Sequence, residues 1–316
     1  MTKLGAVIDL GSNTIRFAIG KYHPARKEIS IKDRSLFPVR IGEGFASAGK
    51  LLSPAMDRSL KVLEELKSKI DECELDGNLV KLVATGVIRE AENSDYFCES
   101  VKKRTGFEVT IISGDEEARI IATGVLAAMS KVEYPLLICD IGGGSTELIR
   151  VDEEKRRYLF SCPMGVVRLT EQYQEMSDKM QSCIDDHLDS CPAKVYPIAQ
   201  LIATAGTPTT LAAIAQQMMI YNPRKIQGYW LSSQDIDMMA SLFGRLTIAE
   251  RRRIPGMPPG REDIILAGTI ILQNILKRVK TSGLTVSEGS LLEGLLIELF
   301  KDVFHESDDD TIKVKI

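Results

Sequence analysis

No apolar run in this 316-residue chain approaches the roughly 18 residues needed to span a bilayer, so no transmembrane helix is expected. Nor does the N-terminus read as a secretory leader, because residues 1–8 carry only Lys3 before a short apolar run that Asp9 ends. These absences predict a cytoplasmic protein with no membrane partner. Histidine is scarce: His23, His187 and His305 stand isolated, which argues against histidine-based catalysis or metal binding. The six cysteines, Cys73, Cys98, Cys139, Cys162, Cys183 and Cys191, form no C-x-x-C pair. That pattern argues against a zinc site or a disulfide framework and predicts reduced, packing cysteines. Basic excess is missing as well. A net charge of -4 and a pI near 5.6 leave no footprint for duplex nucleic acid, so an anionic ligand must be held by local basic residues. What is present is 44% hydrophobic and 27% charged residues with both signs interspersed, enough to bury a core. The length suits two domains.

The remaining pattern alternates strand and helix signals. Residues 4–9 and 14–20 read as two strands joined by the tight turn Gly11-Ser12-Asn13. Ser53-Pro54 marks a helix start, with Ser as cap and Pro at the first helical position, and Met56, Leu60, Leu63, Leu66 and Ile70 form an inward stripe. Strands follow at 81–85 and 108–112, around a helix near 95–104. Ser113-Gly-Asp-Glu116 then has the form of a capping box opening a helix that runs to about residue 129.

Past that helix the pattern restarts. An apolar run at 136–140 leads into Gly142-Gly-Gly-Ser145 and a strand at 146–151. Asp9-Leu-Gly-Ser-Asn-Thr14 and Asp140-Ile-Gly-Gly-Gly-Ser145 share one design: Asp, an aliphatic, Gly, a small turn, a hydroxyl residue. Two related halves are implied. A third glycine turn, Gly206-Thr207-Pro208, follows a strand at 200–203, with Thr207 as cap and Pro208 at the first helical position. Helices near 233–243 and 262–276, a strand at 284–286 and a helix at 290–304 complete the pattern, and Asp308-Asp-Asp310 reads as a solvated charge run. The expected domains are residues 1–121 with 295–316, and residues 122–294.

The chemistry sits in these loops. Asp140 and Glu147 lie symmetrically about a glycine turn, and in a hairpin they face each other at about 4.5–5.5 Å between β-carbons. Two carboxylates that close need a shared proton or a cation, most naturally Mg²⁺; the alternative is a polar hairpin rim in water. Gly142, Gly143 and Gly144 beside Ser145 and Thr146 form an anion nest, repeated at Gly11, Ser12 and Asn13, where Arg16 takes the place of Glu147. Glu116 completes a capping box, and a first-turn Glu117 suits the helix dipole; neither needs a catalytic explanation. Arg89 is placed either to clamp phosphate oxygens or to pair with Glu90 or Glu92. Arg251-Arg-Arg253 reads as a solvated helix end or a polyanion site, and Arg261 is better placed, at the start of an apolar helix.

Together, Asp9-Leu-Gly-Ser-Asn-Thr14, Arg89-x-Ala-x-Asn93, Ser113-Gly-x-Glu-Glu-Ala118, Asp140-Ile-Gly-Gly-Gly-Ser-Thr-Glu147, Thr204-Ala-Gly-Thr207 and Arg261-x-Asp-Ile-Ile265 resemble the exopolyphosphatase / guanosine pentaphosphate phosphohydrolase (Ppx/GppA) family. The resemblance implies an α/β, two-domain actin-like (ribonuclease H-like) fold with an interdomain cleft that removes terminal phosphates from polyphosphate or pppGpp. By that likeness Glu117 is the base for the attacking water, Asp140 and Glu147 hold Mg²⁺, and Arg89 and Ser145 contact the scissile phosphate. Gly11, Ser12, Asn13, Gly142, Gly143, Gly144, Gly206 and Thr207 cradle the remaining phosphates, with Arg16 and Arg261 as further substrate contacts. A monovalent cation and a homodimer are left open.

Two positions depart from the family pattern: Leu292 stands where many members have Arg, and Gln227 where relatives often have His. Polyphosphate is preferred over pppGpp because nothing in the chain announces a guanine pocket. An ATP-dependent kinase of the same fold and a non-catalytic binder of ppGpp or polyphosphate are the competing readings. Retention of Glu117, Asp140 and Glu147 argues against the binder.

Overall fold

The structure is a computed structural model and describes residues 3–73, 75, 79–174, 177–191, 197–304 and 312–316. His305 and the Asp308–Asp310 run lie outside the described residues. The chain divides into two compact units, Met1–Ala128 with Gly289–Ile316, and Met129–Glu288. In chain order the first unit runs β1 (Lys3–Leu10), β2 (Ile15–His23), β3 (Glu28–Phe37), α1 (Phe45–Ala48), α2 (Ser53–Glu72), β4 (Val80–Ala84), α3 (Val87–Glu90), α4 (Ser94–Thr105), β5 (Val109–Ile111) and α5 (Gly114–Ala128). The second runs β6 (Leu136–Ile141), β7 (Thr146–Val151), β8 (Arg157–Cys162), α6 (Val166–Tyr173), α7 (Ser177–Asp189), β9 (Gln200–Thr204), α8 (Gly206–Ala215), α9 (Pro223–Ile226), β10 (Trp230–Ser232), α10 (Ser233–Arg245), α11 (Ile248–Arg251), α12 (Ile265–Val279) and β11 (Gly283–Val286). The chain then returns to the first unit with α13 (Leu291–Phe304), packed on α5, and β12 (Lys313–Lys315). The unit boundary leaves α5 whole, where the sequence pattern suggested a division at 121/122.

The repeated loop is the visible trace of a repeated topology. One sheet has the order β12-β3-β2-β1-β4-β5 and the other β10-β11-β9-β6-β7-β8. Each contains three consecutive antiparallel strands, β1-β2-β3 or β6-β7-β8, with two more strands continuing parallel to the first of them. The central strands are apolar enough to be covered on both faces: Leu136–Ile141 is buried at every position. Edge pieces differ, since β12 lies parallel to β3 in the first sheet and β10 antiparallel to β11 in the second.

The helices follow the expected stripes. Met56, Leu60, Leu63, Leu66 and Ile70 of α2 are all buried. Its cap differs from the expectation: Leu52 occupies the N-cap position, its carbonyl accepting from Ala55 and Met56 at 3.0 Å each, so Ser53 and Pro54 both lie in the first turn. Strands β3, β8, β10 and β12 gave no usable sequence signal, because β3 and β8 mix charged and half-buried positions and the other two have three residues each. All six cysteines are free, and no described helix is long and apolar enough to cross a membrane. The two family departures are both structural: Leu292 is buried in α13, while Gln227 accepts from the Glu288 amide at 2.7 Å and donates to Met129 Sδ at 3.2 Å.

Candidate active site

In the first unit the turn after β1 closes with Gly11 N donating to Thr14 O at 3.2 Å. Register places Asp9 directly across from Arg16, and Arg16 Nε donates to Asp9 Oδ2 at 2.6 Å. Burial pushes the Asp9 carboxyl above its ordinary range, against the opposing pull of Arg16. Asp9 Oδ1 and Asn13 Oδ1 are buried and have no hydrogen-bond partner among the described residues. Two orphaned acceptors beside a turn of small residues are the chemistry of a place that a cation or water completes. The Ser12 hydroxyl accepts from Val87 N at 3.2 Å, tying this turn to the start of α3.

Arg89 lies on that short helix. Its Nη1 donates to Ile112 O at 2.9 Å and to Glu117 Oε2 at 3.2 Å. Glu117 is only 7% exposed, whereas its neighbour Glu116 is exposed and its amide donates to Ser113 Oγ at 3.1 Å. The capping account that sufficed in the sequence suits Glu116, whereas the helix-dipole account offered for Glu117 does not cover its burial. A buried carboxylate held by an arginine from another element is a different object, because burying a charge costs free energy that a solvated first-turn Glu would not meet.

The second unit repeats the turn with a different cross-strand pair. Gly142 N donates to Ser145 O at 2.9 Å, and Asp140 faces Glu147 in the β6–β7 register. Both carboxylates are buried. Glu147 Oε1 accepts from Ser145 Oγ at 2.7 Å and from Ser161 Oγ at 2.9 Å. Burial and these two carboxylates push the neighbouring Cys139 thiol well up, so it stays protonated and packs.

Behind this turn the carbonyls are anchored on the start of α6. Gly142 O accepts from Val166 N at 3.0 Å, and Gly143 O from Val167 N at 2.9 Å and Arg168 N at 3.2 Å. The Arg168 side chain adds a fourth bond, Nε to Gly144 O at 3.0 Å. Close approach enforces glycine here: a Cβ on Gly165 would lie 2.3 Å from the Gly143 carbonyl carbon and oxygen. The first unit uses the same device after its own third strand, with Arg40 N donating to Asn13 O at 2.9 Å and Gly42 N to Ser12 O at 2.8 Å.

The third glycine turn lies beside the second, since Thr204 at the end of β9 is level with Asp140. Ala205 holds φ 71° at the N-cap of α8, a left-handed conformation uncommon for a residue with a side chain. Thr207 is therefore inside the helix rather than its cap, and its side chain packs against α12: a Cβ on Gly268 would lie 2.2 Å from Thr207 Oγ1. Gly206 and Arg261 are brought together, for a Cβ on Gly206 would lie 1.6 Å from Arg261 Nη1. The arginine run nearby divides its roles. Arg251 is fully buried and donates from Nε to Phe243 O at 2.9 Å, so it is neither a solvated helix end nor a surface for a polyanion. Arg252 Nε holds Glu262 Oε1 at 2.8 Å, and Glu262 Oε2 accepts from Gly260 N at 2.7 Å, which fixes the chain leading into Arg261.

Three residues escaped the sequence reading. Asp9 was signalled by the repeat itself, as the counterpart of Asp140. Ser161 gave no signal, because it acts from a strand that the pattern did not reveal. Arg168 acts on a loop remote in sequence. Among the described residues no group of three or more His, Cys, Asp and Glu side chains converges as a metal site.

Comparison with known proteins bears on the family and the fold. The family model of the Ppx/GppA phosphatase family matches residues 22–303. The chain is 30% identical over 309 residues to a bifunctional 3-dehydroquinate synthase/phosphatase of Fusobacterium nucleatum, covering 93% of this chain but 46% of that one, so it spans under half of that relative's length. It is 28% identical to exopolyphosphatase 2 of Mycobacterium tuberculosis, with 93% and 98% of the two chains covered. Among solved structures, the Aquifex aeolicus member of the Ppx/GppA family superposes with a TM-score of 0.80 at 29% identity, covering 98% of this chain and 100% of that one. The fold is thus the α/β, two-domain actin-like fold, and this chain belongs to the Ppx/GppA phosphatase family.

Proposed function

We propose that the chain is an exopolyphosphatase that releases terminal orthophosphate from inorganic polyphosphate. Family membership makes it a phosphoanhydride hydrolase; the finer assignment rests on the residues. The observation that carries it is the burial of Glu117 against Arg89, since a carboxylate kept dry and held in place suits proton abstraction better than helix capping. In this reading a water oxygen attacks the terminal phosphorus, the bridging P–O bond breaks, and the water's proton passes to the Glu117 carboxylate. The shortened chain leaves with the bridging oxygen. Arg89 orients Glu117 and meets phosphate oxygens.

The second unit supplies the anion nest, through the amides of Gly143, Gly144 and Ser145, with Gly206 and Arg261 beside it. Asp140 and Glu147 are the residues fitted to a hard divalent cation, being oxygen donors buried on adjacent strands. Two protein carboxylates rather than a full cage suit Mg²⁺, which when bound neutralises phosphate charge while keeping several waters. Polyphosphate is favoured because the exopolyphosphatase relative is matched over 98% of its length. Release of phosphate from pppGpp is the runner-up, and a cytoplasmic location belongs to the same reading.

The test is phosphate release by the purified chain with Mg²⁺ from short polyphosphate, long polyphosphate, pppGpp and ATP, beside Glu117→Ala. Release from polyphosphate that vanishes in the variant supports the proposal. Release only from pppGpp moves the substrate, and no release from any of them overturns the hydrolase.

A further inference from the structure

We infer that Arg168 is a positioning residue that sets the anion nest of the second unit from behind, an inference that rests on the phosphate-binding reading above. The argument is stereochemical. A trans peptide is planar, with its C=O and N–H directed oppositely. Three consecutive peptides, 142–143, 143–144 and 144–145, have carbonyls drawn towards the start of α6: the first by Val166 N, the second by Val167 N and Arg168 N, the third by Arg168 Nε. Their amides, on Gly143, Gly144 and Ser145, are therefore turned to the opposite side together.

Main-chain donors orient the first two peptides, and any residue but proline at positions 166–168 would supply them. The third is oriented by a side chain. That peptide carries the Ser145 amide, and the Ser145 hydroxyl already bonds Glu147. A guanidinium on the Gly144 carbonyl fixes the direction of the Ser145 N–H and polarises it towards an anion, as a charge-assisted bond at one end of an amide strengthens the donor at the other. The turn of the first unit is held from behind by two main-chain amides, those of Arg40 and Gly42. The side-chain anchor thus marks the second turn as the one whose donors need the finer setting.

The experiment uses orthophosphate, which cannot be hydrolysed, as the calorimetric probe, with phosphate release from polyphosphate measured in parallel. Arg168→Met keeps an unbranched chain out to the position of Nε and loses the donor; Arg168→Lys keeps a charged donor. The expected result is about tenfold weaker orthophosphate binding in the Met variant, a rise in KM for polyphosphate larger than the fall in kcat, an unchanged melting temperature, and recovery in the Lys variant. Equal orthophosphate affinity in wild type and Arg168→Met overturns the inference. So does a loss that tracks falling melting temperature in both variants, or a wild type that does not bind orthophosphate. If binding is lost in the Met variant while even wild type releases no phosphate, the hydrolase reading fails and the positioning role stands. If release and binding are both normal in the variant, the role fails and the reading stands.

Discussion

Arg89 and Glu117 meet through a 3.2 Å contact, and the arginine nitrogen that makes it also donates to the Ile112 carbonyl at 2.9 Å. The guanidinium is thereby tied to the segment just before α5, and the carboxylate on the first turn of that helix is held against it. Two groups held as a unit should fail as a unit. Glu117→Ala is expected to lower kcat by about a hundredfold or more, in the range for loss of a general base, and Arg89→Ala by a smaller factor. The double variant should be far faster than the product of the two losses implies. A double-mutant cycle on phosphate release checks this, and full additivity would separate the two residues.

Glu147 accepts two serine hydroxyls and faces Asp140. Glu147→Gln keeps the shape but removes a negative charge next to Asp140. The Mg²⁺ concentration giving half-maximal rate should rise by about tenfold or more, while kcat at saturating Mg²⁺ falls less. An unchanged Mg²⁺ titration would take Glu147 out of the cation's reach.

Gly206 is required by its neighbour and not by its own backbone. In Gly206→Ala the new methyl must displace the Arg261 guanidinium, the far end of a long side chain rather than backbone, so folding should be preserved. If Arg261 contacts substrate phosphate, KM should rise by about tenfold, equivalent to about 1.4 kcal/mol. An unaltered KM with unaltered melting would leave Arg261 a packing residue.

Glu262 gives a pH dependence of stability. Burial pushes its carboxyl up, but its own amide, Arg252 and the Gly260 amide outweigh this and hold it below the ordinary value of 4.5. A lowered folded value means that the unfolded chain takes up the proton first as pH falls. The stabilisation is therefore complete above about 4.5 and is lost as pH drops through the lower, folded value. Glu262→Gln should be less stable than wild type by about 1–2 kcal/mol at neutral pH. That difference should shrink in acid, and melting curves from pH 7 down to 3 would show it.

Much of the architecture was written in local pattern. The strand–turn–strand unit recurs because a glycine turn between apolar strands is a short-range signal, and residues 9–14 and 140–145 carry it in the same order. The stripe of α2 was equally plain, since its period is that of the helix. The helix starts at Ser53 and Thr207 were misplaced by a residue or two, because a carbonyl from the preceding residue or an unusual backbone at Ala205 took over the cap. Strands β3 and β8 were lost among charges.

The sequence by itself determined the two-fold plan, the scarcity of histidine that turns the chemistry towards carboxylates, and the glycine turns proposed to hold an anion. Only the tertiary structure decided which side chains are dry. It buried Glu117 and left Glu116 in water, drew Arg251 into the interior, and brought Ser161 to Glu147 and Arg168 to the back of the glycine turn. The reason is physical. Turns and periodic faces are set by neighbours along the chain, whereas burial and the direction of a peptide depend on residues that only the folded sheet brings near.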